Sequence, residues 1–252
     1  MCELMALSYT RPSAAGEAVG SFGGCGEENP HGWGLAWYSG RSLAMLKEPV
    51  KWHSSLHSAF LQTYVGLRSH LYIAHVRDKS IGGEPTHADT HPFGRELLGR
   101  EYCFAHNGTV AGAFNDLSLG RFRPVGSTDS EHIFCHLLGE LDAAGGSLAT
   151  PEHWRWLHAK LIAANTLGEL NCLLSDGERL FCYHDAVGYK GLHLCRVAGE
   201  DDGQQAGYLI ATRATGDRAW DAFQPGELVV FEAGELLFSS RSSIQNPEMR
   251  KA

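Results

Sequence analysis

Asn171-Cys172-Leu173-Leu174-Ser175-Asp176-Gly177-Glu178-Arg179-Leu180-Phe181-Cys182-Tyr183 is the stretch that decides the fold class. Two mainly apolar runs, Asn171–Ser175 and Arg179–Tyr183, flank Asp176-Gly177, and Asp-Gly in that position predicts a two-residue hairpin. Antiparallel pairing follows. Leu228–Glu232 and Glu235–Phe238 repeat the arrangement around Ala233-Gly234. Working outward, Gly32–Tyr38, Leu71–Val76, Tyr102–His106 and Tyr208–Thr212 read as further strands.

Between the early and late strands lie two helical patterns. Thr128-Asp129-Ser130-Glu131 has the form of a capping box, in which the Thr128 hydroxyl and the Glu131 carboxylate each reach the other's backbone N–H. Phe134, Leu137, Leu138 and Leu141 then recur at helical spacing. Thr150-Pro151 opens a second helix with proline at the first helical position, and Trp154, Leu157, Leu161 and Ile162 are expected to share one face. A weaker helical candidate runs from Ser55 to Tyr64. Strands, then central helices, then strands again do not give the alternation of a parallel doubly wound sheet. They predict an α+β domain of antiparallel sheets with helices packed outside.

The chain has 252 residues, enough for one large domain or two small ones, and its net charge is −8. No run of Lys and Arg exceeds two residues, so no nucleic-acid partner is expected. No stretch approaches the ~18 apolar residues of a membrane span, and no basic segment followed by an apolar one marks a signal peptide. Neither a membrane association nor export is expected. Seven scattered cysteines without a CxxC pair suit reduced thiols in the cytoplasm. Six read as small core residues, and Cys2 needs a separate account.

Removal of Met1 would leave Cys2 as the amino terminus. A thiol has a pKa of ~8.5 and an α-amine ~7.7–8, so near neutral pH the amine can take the thiol's proton. One residue would then supply both nucleophile and base. The plainer reading is an ordinary residue after the start codon, and position alone favours it.

Further segments overturn that preference. They are His31-Gly32-Trp33-Gly34-Leu35-Ala36-Trp37-Tyr38, Ile73-Ala74-His75-Val76-Arg77, His91-Pro92-Phe93, Phe104-Ala105-His106-Asn107-Gly108 and Gly126-Ser127-Thr128-Asp129-Ser130-Glu131. In this order behind Cys2, the chain resembles the class-II glutamine amidotransferases, and particularly the stand-alone YafJ-like group. The match is densest over roughly the first 140 residues. It weakens towards Ala211-Thr212-Arg213, Trp220 and Pro225-Gly226-Glu227-Leu228.

The resemblance implies a single type-2 amidotransferase domain over residues 1–252. Its fold would be the four-layer αββα N-terminal-nucleophile sandwich of two antiparallel sheets. It also implies a reaction, hydrolysis of the glutamine γ-amide through a Cys2 thioester, releasing ammonia and glutamate. Asn107 and Gly108 would form the oxyanion hole, although Asn-Gly is also a favoured hairpin turn. Arg77 would hold the substrate α-carboxylate, where the plainer reading pairs it with Asp78. Asp129 would hold the α-ammonium, where the plainer reading is a carboxylate stabilised by a helix start. Ser80 stands where relatives place a substrate-contacting threonine, and Asp78 replaces a frequent tryptophan. Gly82 and Gly83 suit a lid over residues 78–84.

No cofactor and no metal are expected. His132 and His136, four apart around Cys135, lack the glutamate of a zinc-binding helix. His31, His75 and His106 are expected to orient the site, and Trp33, Trp37 and Tyr38 to pack in the core. The small-molecule partner is glutamine or another γ-glutamyl compound, with a separate ammonia-accepting subunit a further partner of the family's kind. Hydrolysis of a γ-glutamyl peptide or thiol conjugate is the alternative reaction. A degenerate domain that binds a γ-glutamyl metabolite or a protein is the non-enzymatic alternative.

Overall fold

Strand, helix and strand follow one another as the sequence predicts in the computed structural model, which describes residues 2–27, 29–64, 66–78, 85–198 and 205–241. In chain order the elements are β1 (Glu3–Ala14), α1 (Gly16–Gly23), β2 (Trp33–Ser39), β3 (Ser42–Glu48), α2 (Leu56–Thr63), β4 (Arg68–Val76), β5 (Phe93–Leu97) and β6 (Arg100–Asn107). There follow α3 (Ala113–Asp116), α4 (Asp129–Ala143), α5 (Pro151–Asn165), β7 (Asn171–Ser175), β8 (Arg179–Tyr183), β9 (His193–Ala198), β10 (Gln205–Ala211), β11 (Asp221–Ala222), β12 (Leu228–Glu232) and β13 (Glu235–Ser239).

The strands form two antiparallel sheets, ordered β11-β9-β10-β1-β4-β2-β3 and β13-β12-β8-β7-β6-β5. Three apolar layers hold them together. Leu4, Ala6 and Ile73 of the first sheet meet Ala105, Leu173 and Val229 of the second. Met5, Leu7 and Tyr72, one residue out of phase, face Val19 and Phe22 of α1 and Leu61 of α2. On the far side Phe104, Leu174 and Val230 pack on α4 and α5. The result is the αββα stack, with helices covering both outer faces.

The turn chemistry is legible in detail. At the tip of β7–β8, the Asp176 carboxylate accepts from the backbone N–H groups of Glu178 (3.0 Å) and Arg179 (2.7 Å), so the turn centres on Gly177-Glu178, one residue later than expected. Between β12 and β13, Ala233 and Gly234 both have positive φ, 45° and 74°, as a tight two-residue hairpin requires.

One plainer reading is set aside and two expectations are corrected. Asn107-Gly108 is no hairpin turn: β6 pairs through Asn107 with Asn171 of β7, and the chain then leaves towards α3. Only half of the capping box forms. Thr128 Oγ1 accepts from Glu131 N–H at 3.2 Å, but the Glu131 carboxylate pairs with Arg95 and accepts from Gly126 N–H instead. On α5, Ile162 is 41% exposed and Ala164 completes the buried face with Trp154, Leu157 and Leu161. One step past Leu161 turns a side chain about 100° away from the core.

The ring of Phe134 is fully buried and stacks on Phe104 at a centroid distance of 5.3 Å. Phe134→Ala should lose about 3–5 kcal/mol of stability in urea denaturation. Ile162→Ala, on the wet side of α5, should stay within about 0.5 kcal/mol of wild type.

Candidate active site

Ends of elements from both sheets converge on one cavity of about 480 Å³. Cys2 leads into β1, Arg77 follows β4, Gly108 follows β6, and Asp129 opens α4; all four line it. Adjacent antiparallel strands start and finish at a shared sheet edge. Cys2 and Arg77 are thereby brought together by register, Glu3 standing opposite Val76.

The Cys2 thiol is half-buried and donates to the Asp78 carbonyl at 3.2 Å, while the Asp78 N–H points at its sulfur at 3.3 Å. Burial pushes this thiol above its ordinary pKa, opposed by the Asp78 N–H and by the charge of Arg77. It is therefore a protonated thiol at rest and needs a base to become a nucleophile. The remaining cysteines are buried.

Arg77 is 8% exposed, and its Nη1 is buried with no hydrogen-bond partner among the described residues. Its backbone is fixed on both sides, accepting from His31 N–H (3.0 Å) and donating to Gly32 O (2.8 Å). Asp78 meets His31 Nδ1 at 3.2 Å rather than Arg77. A fixed, desolvated guanidinium on a cavity wall is incomplete without an anion.

Asp129 occupies the first turn of α4. One carboxylate oxygen accepts from Val110 N–H at 2.7 Å, the other from Ser130 N–H at 2.8 Å. Asp89, which no sequence signal singled out, also lines the cavity. Burial would raise its pKa, but bonds from Ser127 and Thr86 hold it below the ordinary value. Among its described lining residues the cavity thus presents the guanidinium of Arg77 and the carboxylates of Asp78, Asp89 and Asp129.

Gly108 has φ +149°, and a Cβ there would lie 2.2 Å from Glu169 O, so the position admits only glycine. Asn107 is buried behind it. Its Nδ2 donates to the Cys2 carbonyl at 2.6 Å, so the structure brings Asn107 to the backbone of Cys2 rather than to the cavity wall. Lys190 Nζ reaches the same carbonyl at 2.7 Å and Glu3 Oε1 at 2.7 Å. The other oxygen of Glu3 accepts from Thr212 Oγ1 at 2.5 Å. Lys190 and Glu3 escaped the sequence reading because nothing local marks them. Thr212 stood in a weakly matching segment without a role.

The histidines divide. His106 Nε2 faces the Glu169 carbonyl (3.0 Å) and so carries the hydrogen, leaving Nδ1 to accept from Ser130 Oγ (2.8 Å). It ties β6 to the start of α4. His75 and His91 are buried and stacked at 4.2 Å, with no partner for any of their ring nitrogens among the described residues. Burial first, then neighbouring positive charge from Arg77 among others, takes His75 down to about 3 and His91 well below its ordinary value. Both are neutral. His132 and His136 meet the carbonyls of Leu117 (2.8 Å) and Ser118 (2.7 Å), stapling α4 to the preceding loop. Among the described residues no group of three His, Cys, Asp or Glu could hold a metal ion. Ser80 and most of the expected lid, residues 79–84, lie outside the described residues.

Known proteins share the family and the fold of this chain. The model of the class-II glutamine amidotransferases matches residues 1–252. The chain belongs to that family. An uncharacterized protein of Methanocaldococcus jannaschii is 34% identical over 96% of this chain and 72% of its own length. YafJ of Escherichia coli, a family member by name, is 32% identical over 93% of this chain and 99% of its own. Among solved structures, a predicted glutamine amidotransferase from Pseudomonas aeruginosa superposes with a TM-score of 0.69 at 26% identity, over 94% of this chain and all of that one. The allosteric regulatory enzyme of purine biosynthesis shares the fold at a TM-score of 0.68 and 16% identity, this chain spanning 49% of its length. The N-terminal-nucleophile fold of these amidotransferases is the fold of this chain.

A buried guanidinium nitrogen with no partner among the described residues costs stability in the ligand-free protein. Arg77→Met, similar in length and uncharged, should therefore gain about 1–3 kcal/mol in thermal unfolding of the ligand-free protein. A lowered midpoint would show that Arg77 holds the fold rather than waiting for an anion.

Proposed function

We propose that this class-II amidotransferase hydrolyses the γ-amide of glutamine through a γ-glutamyl thioester on Cys2. The observation that carries the reading is Arg77 Nη1, without a partner among the described residues, in the same cavity as Cys2 and Asp129. A guanidinium and a carboxylate on one cavity wall match the α-carboxylate and α-ammonium of a free amino acid, and the thiol is left for its side chain.

In this reading Met1 is removed and the α-amine of Cys2 takes the thiol proton. The thiolate attacks the γ-carbon, and the carbonyl oxygen becomes an oxyanion. Gly108 N–H stands at the cavity wall. In this reading Asn107, whose Nδ2 gives one hydrogen to Cys2 O, turns its second N–H from behind Gly108 to the oxyanion, and the two donors hold that charge. The protonated amine returns its proton to the departing nitrogen, and ammonia leaves. Water, deprotonated by the same amine, opens the thioester to glutamate and restores the thiol. The ammonia is either released or passed to a separate subunit. Because the buried thiol is protonated at rest, turnover requires the neutral amine. Activity should fall as pH drops below the amine's pKa, about 7.7–8 when unperturbed.

One observation favours a larger substrate as a second reading. The wall continues past Asp129 to Val110, Ala111 and Phe114, the last 54% exposed, and the volume is in the range that serves drug-sized ligands. A γ-glutamyl peptide or thiol conjugate would use the same clamp and nucleophile.

Intact mass of the protein with and without 6-diazo-5-oxo-norleucine tests the reading. One covalent adduct is expected on processed protein and none on Cys2→Ala, which should also lose all turnover. Asp129→Asn should raise KM by about 100-fold with a smaller change in kcat, as for a lost charge-assisted contact to bound substrate. Full turnover by Cys2→Ala would sink the mechanism. A higher kcat/KM on γ-glutamyl dipeptides than on glutamine would select the second reading.

A further inference from the structure

Lys190 sets a half-buried ammonium between a backbone carbonyl and the carboxylate of the buried Glu3. Its side chain is 15% exposed, and its ammonium bridges Cys2 O and Glu3 Oε1, each at 2.7 Å. Glu3 cannot swing away, because Thr212 Oγ1 donates to its other oxygen and also accepts from Leu4 N–H at 2.9 Å. Lys190 itself has φ 45°, a left-handed conformation uncommon for a residue with a Cβ.

That conformation is imposed by a polar framework beneath the loop after β8. The carboxylate of Asp185 accepts from the N–H groups of Val187 (2.9 Å), Tyr189 (3.0 Å) and Leu170 (2.8 Å) and from Asn165 Nδ2 (2.7 Å). Asn171 accepts from Asp185 N–H at 3.0 Å and donates to Tyr189 O at 2.5 Å. His184 Nε2 donates to Lys190 O at 3.0 Å. Burial would raise the pKa of Asp185, but these donors hold it below its ordinary value, so the framework stays ionised and closed at neutral pH. Each bond fixes the loop whose last residue touches the nucleophile.

We propose that Lys190 is a positioning residue for Cys2: its ammonium clamps the Cys2 carbonyl, and its charge keeps the processed α-amine in the neutral form that serves as base. This rests on the Cys2 mechanism above. The nitrogen and carbonyl oxygen of one residue lie within about 3.6 Å by covalent geometry, which places the Lys190 charge within roughly 6 Å of the amine. Several other ionisable groups surround Cys2. Arg77 and Asp78 stand at the end of β4, with His31 on Asp78. Glu3 is on β1 and Tyr189 beside Lys190. Deeper in the cavity are His106 of β6 and Asp129 of α4. Within this set Lys190 opposes Glu3 directly, so removing either one shifts the amine in a known direction. Loss of Lys190 favours the protonated amine, and loss of the Glu3 charge favours the neutral one.

The test uses protein treated with methionine aminopeptidase and labelled with [15N]cysteine, whose one α-amine resonates apart from the backbone amides. Lys190→Met should raise the amine's titration midpoint by about one pH unit, an order-of-magnitude figure for a partly screened charge at this distance. The acid limb of kcat/KM should move upward with it. Lys190→Arg should restore both, and Glu3→Gln should move both downward. If Lys190→Met does not fold, Glu3→Gln and Lys190→Arg decide. A Lys190→Met protein that loses kcat/KM equally at every pH with an unmoved titration would overturn the proposal. So would Glu3→Gln shifting in the same direction as Lys190→Met, or no shift in Glu3→Gln. Failure of the Cys2 mechanism is read separately, as wild-type processed protein with neither turnover nor an adduct, while the titration midpoints still judge Lys190.

Discussion

The carbonyl of Cys2 is the point on which the site depends. It accepts from Asn107 at the end of β6 in one sheet and from Lys190 in the loop before β9, while the residue itself leads into β1 at the centre of the other sheet. Two sheets pressed together by Leu4, Ile73, Ala105 and Leu173 could slide if only apolar contact joined them, since hydrophobic packing is non-directional. Two directed bonds to one oxygen set the offset between the sheets at the position where it matters. Register does the rest: Glu3 opposite Val76 puts the thiol against the peptide of Asp78, and Arg77 follows at once.

Around that point the protein keeps groups that a purely structural domain would have satisfied or discarded. Arg77 carries a buried donor with no acceptor among the described residues, and His75 and His91 stack as buried, neutral rings. Gly108 gives up its side chain so that the backbone can pass Glu169. The outer layers show the opposite habit. Glu131, Asp176 and Asp185 each collect several donors, and β7 and β12 pair with apolar neighbours on both sides.

Much of this was legible in the chain. The β7–β8 and β12–β13 hairpins declared themselves because turn chemistry is local, and α4 and α5 because a cap and a helical repeat coincide. β1, the longest strand, did not. Both its faces are covered along Leu4–Leu7, so no alternation marks it, and its far end runs into the exposed Arg11-Pro12. β3, β5 and β9 were missed for a related reason: edge or near-edge positions let charged residues such as Lys47, Arg95 and Arg196 sit within them. Within the site, Cys2, Arg77, Gly108 and Asp129 were found through motifs and do share one cavity. Lys190, Glu3 and Asp89 were invisible because their meaning lies only in partners distant in sequence. The capping box misled in an instructive way, since Arg95 offered Glu131 a charged partner stronger than a backbone N–H.

The pairing of β1 with β10 has a consequence for how the molecule comes into being. Leu4 and Thr212 are joined across 208 residues, and β10 is β1's neighbour along Met5–Tyr9. Translation runs from the first residue onward at about 5–20 residues per second, and contacts of such long range form slowly. β1 therefore waits with one flank uncovered until β10, about 200 residues later, is made, on the order of ten seconds or more. The Leu4–Thr212 bond and the β1–β10 pairing therefore close only after residues 205–212 are made.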